Sequence, residues 1–427
     1  MILDRTKQPL IQDPVAFDYV LPPLNTEQLD NGTKLYWLNA GVEDVVEINW
    51  VFPAGIWYED RNAIAQATAG QLKNGTHKQT AQQINEALEF YGASLKVNAG
   101  NDYTTITLDA LTKHLPSLLP IVLELILHPI FPEHELELYK QNAIQRLLVS
   151  LRQCDFVANQ QIDAALFGHH HPYGRYTQRQ TIEALSTADL KAFHQKHYAI
   201  EGMQIFMSGK LATQDVVLMN RIFGTIPHNG VHDALIQFAA DTTTARKTWM
   251  DNDPNGVQAA IRIGRRFIQR SHPDFAACVV LNTLFGGYFG SRLMSNIRED
   301  KGYTYGIYSS IGAFAHDASL TIHAEVGRAV AEAAVQEIYF EMDELRNKPV
   351  DEEELLLVKN YLLGSILGDL DGPFSIMQRW RSLILNGFTE ERFNENIHIY
   401  KHVSAAQLQQ LAQQYFDQKD YTEIVVI

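Results

Sequence analysis

Arg298 and Tyr305 lie on either side of Gly302 in the string REDKGYTY. A glycine there suits the position that closes a helix. Arg298 would then sit near the helix end and Tyr305 would open the next strand, so both side chains could meet over one groove. Arginine offers a planar fork of donors for a peptide carbonyl or a C-terminal carboxylate. A charge-assisted hydrogen bond of that kind contributes roughly 1.5–3 kcal/mol. The Tyr305 hydroxyl could donate to an oxyanion in that groove, a type of contact whose loss typically costs about 10²–10³ in rate where it is catalytic. The residues alone leave a second reading open. Residues 298–301 also suit a solvated helix end, Tyr305 also suits a strand position that packs its ring, and Tyr303 competes with Tyr305 for the same role.

Two other clusters call for chemical scrutiny. Gly286, Gly287 and Gly290 fall in LFGGYFGSRL, but no Lys-Ser/Thr follows in the arrangement that cradles phosphate. Glycines in such a run permit a tight helix turn near substrate and close backbone approach. His169, His170 and His171 are consecutive, so they rarely face inward together, and no acid stands at helical spacing to them. They read as a polar loop before Pro172.

The elements that must position these residues come in two copies. EHELELYK (133–140) and EEELLLVK (352–359) place acid, leucine and lysine at the same steps. STADLKAFHQKHY (186–198) and SAAQLQQLAQQYF (404–416) repeat at nearly the same offset. Each is followed by a short apolar strand, 204–208 and 423–427. Alternation at Val46, Ile48, Trp50 and Phe52, and again at Val257, Ala259, Ile261 and Ile263, predicts a half-buried strand in each half. Hairpins are expected over 94–108, turning at Gly100-Asn101, and over 305–326, turning near 315–317. Helices are expected at 115–127, 133–152, 159–166, 328–345 and 351–367. Strands and helices are segregated, which indicates an α+β class. Residues 226–247, polar and small with Pro227 and Gly230, read as the linker. The expected domains are 1–228 and 229–427, each an antiparallel-rich sheet covered by helices.

At 427 residues the chain exceeds one ordinary core, and 46% apolar with 20% charged residues is a globular composition. Two halves of this size bury enough apolar surface without staples. Cys154 and Cys278 make neither a disulfide framework nor a zinc pattern. A net charge of −15 argues against a nucleic-acid partner and mildly against an anionic membrane. The first residues contain no apolar stretch of a leader, and the longest apolar run, 118–127, is too short to span a bilayer. A cytoplasmic location without membrane or nucleic-acid partners is therefore expected.

The element order, the duplication and several strings resemble the pitrilysin/insulinase family of inverted-motif zinc peptidases, with the mitochondrial processing peptidase branch closest. The strings are Leu29-Asp30-Asn31-Gly32, Gly75-Thr76, His171-Pro172-Tyr173-Gly174, and the run from Leu284 through Tyr305. In that family a helix carries HxxEH. Two histidines one turn apart bind zinc, the adjacent Glu is the general base, and a distal Glu is the third ligand, leaving one position open for water. Aligned on Gly75-Thr76, with the helix ending there, the resemblance puts the first His position at Gln66, the base at Ala69 and the second His at Gly70. The distal Glu falls near Leu147. Residues 63–74 hold no His, Asp or Glu, and 141–154 hold no Asp or Glu, so a small shift in alignment does not restore the site.

By the same resemblance, Arg298 and Tyr305 are the substrate-binding pair, with Gly286 and Gly287 beside them. The expected protein is a non-catalytic, substrate-binding subunit of a heterodimeric zinc peptidase, inactive alone. An HxxEH-containing partner would supply zinc, no cofactor would be held here, and two such chains would close around a peptide taken up by strand addition. A scaffold protein of the same fold is the alternative, and a hydrolase with a relocated site ranks last.

Overall fold

The computed structural model describes residues 13–227, 238 and 247–427. The linker expected over 226–247 and the boundary at 228/229 lie largely outside the described residues. The first half runs β1 (Asn25–Gln28), β2 (Lys34–Asn39), β3 (Val45–Phe52), α1 (Ile64–Gln71), α2 (Ala81–Phe90), β4 (Ser94–Ala99) and β5 (Thr104–Leu111). It continues with α3 (Leu115–Leu127), α4 (Glu133–Ser150), α5 (Cys154–Phe167), α6 (Arg179–Glu183), α7 (Thr187–His197), β6 (Gln204–Gly209) and α8 (Thr213–Phe223). The second half runs β7 (Lys247–Met250), β8 (Gln258–Arg266), α9 (Phe275–Asn282), β9 (Thr304–Ala313), β10 (Ala318–Gly327) and α10 (Ala331–Asn347). It closes with α11 (Glu352–Asp369), α12 (Pro373–Leu385), α13 (Glu390–His402), α14 (Ala405–Tyr415) and β11 (Thr422–Val426).

The strands form two sheets, in the orders β1-β2-β6-β3-β5-β4 and β7-β11-β8-β10-β9. Apart from the extra β1, the two orders are the same pattern. In each, the pair made by the last strand of its half with the first strand of the pattern is parallel, β2 with β6 and β7 with β11, and the other pairs are antiparallel. The fold is thus α+β with two antiparallel-rich sheets, as the segregated pattern implied. The duplicated strings fall on α4 and α11, and on α7 and α14. Ser186 and Ser404 each open their helix with a capping box, to Asp189 and Gln407. Each such cap contributes about 1 kcal/mol.

One face of each sheet packs on helices of its own half. Ile48, Trp50, Ile106 and Leu108 meet Leu118, Val122 and Phe193 in the first core. Ile261, Ile263 and Ile322 meet Val280, Ile338 and Leu408 in the second. The opposite faces are covered across the divide. From α5 in the first half, Ile162, Leu166 and Phe167 pack on Ala260, Ile424 and Val426 of the second sheet. From α12 in the second half, Ile376, Met377 and Trp380 pack on Tyr36, Leu38 and Phe206 of the first. The two halves exchange a helix, and α12 follows α11 as α5 follows α4.

Polar contacts fix the exchange. Arg262, in β8 and only 2% exposed, donates from Nε to Asn159 of α5 at 2.6 Å and pairs with Glu325 at 2.8 Å. Gly264 leaves room for α5, since a Cβ there would stand 3.3 Å from the Leu166 side chain and 2.9 Å from that of Thr321. Trp380 Nε1 donates to the Pro22 carbonyl at 2.8 Å. Truncating a buried aromatic to alanine typically costs about 3–5 kcal/mol. Phe167→Ala should therefore destabilise the whole chain by about that much in urea unfolding, since the residue packs both on His171 and Tyr173 of its own half and on Phe314 of the other. A loss under about 1 kcal/mol would show that α5 does not hold the second sheet.

Candidate functional site

The four positions aligned with the metal site lie on α1 and α4, which pack together. The chain enters α1 through Ala63 in the left-handed region, at φ 72°, with no side-chain cap of its own. Glu59 supplies the missing acceptor, taking the Ala65 N–H at 2.9 Å. Arg175 clamps Glu59 at 2.8 Å and also donates to the Ile56 carbonyl at 2.8 Å. Burial pushes the Glu59 carboxyl up to about 7, opposed by Arg175 and by the Ala65 N–H. The helix ends at Gln71, earlier than the Gly75-Thr76 end read from the sequence. A turn follows, and Thr76 is drawn off to bridge Pro129 while its Oγ1 accepts from the Lys78 and Gln79 N–H groups.

The donor set does not fit zinc. Gln66 is exposed and carries a neutral amide, and Gly70 has no side chain. Ala69 is 4% exposed and Leu147 is 8% exposed. A Cβ at Gly70 would stand 3.2 Å from the Tyr139 ring on α4. Among the described residues no group of three or more His, Cys, Asp or Glu is placed to hold a metal ion. The histidine run does not converge. His171 is buried, stacked on Phe167 at 5.4 Å, and its Nδ1 accepts from the Tyr173 N–H, whereas His169 and His170 are exposed.

His171 and Tyr173 belong instead to the junction between the halves. The Tyr173 hydroxyl donates to Asp102 at the tip of the first hairpin. The other Asp102 oxygen accepts the Ala315 N–H, at the tip of the second hairpin, at 3.0 Å. Trp57 stacks on His316 with ring centres 3.9 Å apart. A Cβ at Gly55 would collide with the backbone of Asp102 at 2.5 Å, so this close approach requires glycine.

In the second half, α9 runs into a π-helical turn, Thr283–Gly287, and a second π-helical stretch spans Met294–Asp300. Such insertions concentrate at functional sites. Gly302 closes the second stretch at φ 65°, as its place in the sequence suggested. Gly286 is buried, and a Cβ there would lie 2.6 Å from Ser309 Oγ, so its smallness serves the packing of the turn on β9. Gly287 is exposed. The Arg298 guanidinium lies 4.5 Å from the Phe289 ring centre and 3.9 Å from Glu299. Tyr303 packs partly buried against the second core, while Tyr305 is 98% exposed.

A bulge explains the difference between the two tyrosines. The register of β9 on β10 slips between Ala324 and Val326, opposite Tyr305-Gly306. Thr304 Oγ1 pins the bulge by donating to the Glu325 carbonyl and accepting the Gly306 N–H. A bulge re-aims a side chain, and here it is Tyr305 that turns to solvent. Arg298 and Tyr305 are not joined by any hydrogen bond. Phe289 and Tyr308, 62% and 51% exposed, were not read from the sequence. The one signal available was the aromatic content of the glycine-rich run.

Comparison with known proteins fits this geometry. The family model described as insulinase (peptidase family M16) matches residues 43–175, and that described as peptidase M16 inactive domain matches residues 184–362. The chain belongs to peptidase family M16. An uncharacterized zinc protease, YmxG, of Bacillus subtilis is 23% identical over 81% of this chain and 86% of its own. The non-peptidase homolog YmxG of Helicobacter pylori is 26% identical over 74% of each. The crystal structure of a peptidase M16 inactive domain from Pseudomonas fluorescens aligns with a TM-score of 0.86 and 21% identity, covering 94% of this chain and 98% of that one. The M16 fold is therefore shared, and the helix that the resemblance aligns with HxxEH contains no His, Asp or Glu. Among the described residues no helix is long and apolar enough to cross a membrane.

Burial makes the lost positions unequal. A carboxylate forced into an apolar environment without partners is costly, whereas exposed substitutions usually stay within about 0.5 kcal/mol. In urea unfolding, Gln66→His should be near neutral and Ala69→Glu should cost more than about 2 kcal/mol. Equal effects would mean that the two positions share one environment.

Proposed function

We propose that this chain is a non-catalytic subunit of a zinc-dependent M16 peptidase, holding peptide for a partner that carries HxxEH. The observation that carries the reading is a contrast within one molecule. The metal positions hold an amide, a methyl, a hydrogen and an isobutyl group, while Arg298 and Tyr305 stand at the surface with donors unspent on the protein's own backbone. The bulge at Tyr305-Gly306 and the glycine closure at Gly302 supply the local reason for that exposure.

In this reading Arg298 takes a peptide carbonyl or terminal carboxylate, held flat by the Phe289 ring, and Tyr305 donates to the carbonyl oxygen of the bond being cut. Zinc and the general base belong to the partner. Gly286 acts from beneath by letting the turn lie on β9, and Gly287 follows it at the exposed end of that turn. Assembly as a heterodimer and a cytoplasmic location are parts of the same proposal. The inactive-domain match and the name of the Helicobacter pylori relative support the lack of catalysis.

The test is zinc content and peptide hydrolysis of the purified chain, alone and with an HxxEH-bearing partner from the same source. The chain alone should hold no stoichiometric zinc and show no hydrolysis, and activity should appear with the partner. Arg298→Ala should then lower kcat/KM about 10- to 100-fold, the equivalent of one charge-assisted hydrogen bond. Tyr305→Phe should lower kcat about 10²-fold. Full activity in both variants would favour a scaffold role, with Arg298 serving only to pack on Phe289. Hydrolysis by the isolated chain would overturn the proposal.

A further inference from the structure

The duplication gives the first half's metal cleft a counterpart. α9 and α11 hold in the second half the places of α1 and α4 in the first, and the matched strings at 133–140 and 352–359 set Ile366 where Leu147 stands. Between α9 and α11 lies a cavity of about 430 Å³, bordered by Asn282, Thr283 and Ile366 and closed on its other side by α12 and α13. Its charged lining is unbalanced. Arg270, Arg379 and Arg392 face it with a single carboxylate, Asp369.

That carboxylate is taken by Arg379. Arg392 reaches Glu395 at 3.4 Å and donates to the Ser271 carbonyl at 3.1 Å. Arg270 has no carboxylate partner among the described residues. Its Nε is buried without a hydrogen bond, and its one polar contact is the Ala313 carbonyl, at 3.4 Å. Burial holds the Arg270 guanidinium below its ordinary value, with Tyr400 opposing and Arg379 adding to the effect. A desolvated cation without a counter-ion is costly, and an entering anion would relieve that cost. Phe275, Val279, Leu362, Phe393 and Ile397 give the cavity an apolar side, and Ser309, Ser310 and Asn396 add neutral polar groups. Asn282, 9% exposed, leaves its Oδ1 without a donor.

We infer that this cavity binds a carboxylate carried on an apolar chain, with Arg270 and Arg392 gripping the carboxylate and Phe275, Val279 and Leu362 enclosing the chain. A free acyl carboxylate and the C-terminal end of an apolar peptide share this chemistry. Neither Arg298 nor Tyr305 lines the cavity, and the inference stands whether or not those two residues hold substrate.

The test is calorimetric titration of the full chain, at low salt, with octanoate, with octanol, and with acetyl-Ala-Ala-Ala-Leu as free acid and as amide. Saturable binding of octanoate but not octanol is expected if the source is a free acid, and binding of the peptide acid but not its amide if the source is a peptide end. In either case Arg270→Gln should weaken binding at least about ten-fold, the scale of one charged hydrogen bond. Ser365→Trp, at an exposed position on the cavity rim, keeps the arginines and should block entry, so a folding defect in the first variant leaves the question answerable. Arg298→Ala should leave octanoate binding unchanged, whatever it does to a peptide end held at the other surface. No binding of either acid, equal binding of octanoate and octanol, or native-like binding by both cavity variants would overturn the inference.

Discussion

The exchange of α5 and α12 is the constraint on which the rest of the structure depends. Each sheet has two apolar faces, and the sequence between its own strands supplies helices for only one of them. The second face of each is covered by a helix that the chain lends across the divide. Neither half therefore closes its core alone, and the position of one sheet relative to the other is set by side chains such as Phe167 and Trp380. The polar junction of Asp102 with Tyr173 and Ala315, and of Trp57 with His316, is built on that interlock and ties both hairpin tips together.

The interlock also bears on the two candidate surfaces. α1 is anchored by Glu59, which Arg175 clamps, and Arg175 follows directly on the segment that enters the junction. The motif helix is thus held in place by contacts that have no need of metal. In the second half the same architecture places a cavity lined by arginines beside α9 and α11. Equivalent backbone positions in the two halves have diverged in side-chain chemistry while the helices carrying them have kept their places, which is how a fold persists while the chemistry of its sites changes.

Much of this was legible in the sequence. The hairpins at 94–108 and 305–326 and the repeated helices could be read because period-2 alternation and repeated strings are local signals, and β4–β5 and β9–β10 are where they predicted. The absence of His, Asp and Glu from residues 63–74 was legible for a simpler reason, since residue identity alone decides it. What the sequence withheld depends on distant partners. Ile162 and Leu166 mark an apolar face on α5, but nothing in their spacing says that the face belongs to the other sheet. The Glu59–Arg175 pair joins segments far apart in the chain. The exposure of Tyr305 rather than Tyr303 follows from a register slip against β10, which neither strand reveals by itself.

The side chains at the erased positions are also consistent with physical economy. Two histidines and two glutamates facing one another between packed helices are stable together when a cation holds them; without one, they are desolvated polar groups that must find other partners. A chain that gave up the metal would gain stability by replacing them, the buried ones most of all. The pattern here follows that expectation. The enclosed positions carry Ala69 and Leu147, both apolar, and the two exposed ones carry Gln66, which water satisfies, and Gly70, which has no side chain. Tyr305 lies at the surface and Arg298 is half-buried beside the exposed Phe289, where a polar side chain imposes little cost. The buried positions of the erased set thus carry no polar group that would be costly to enclose, and the donors of Arg298 and Tyr305 sit where water reaches them.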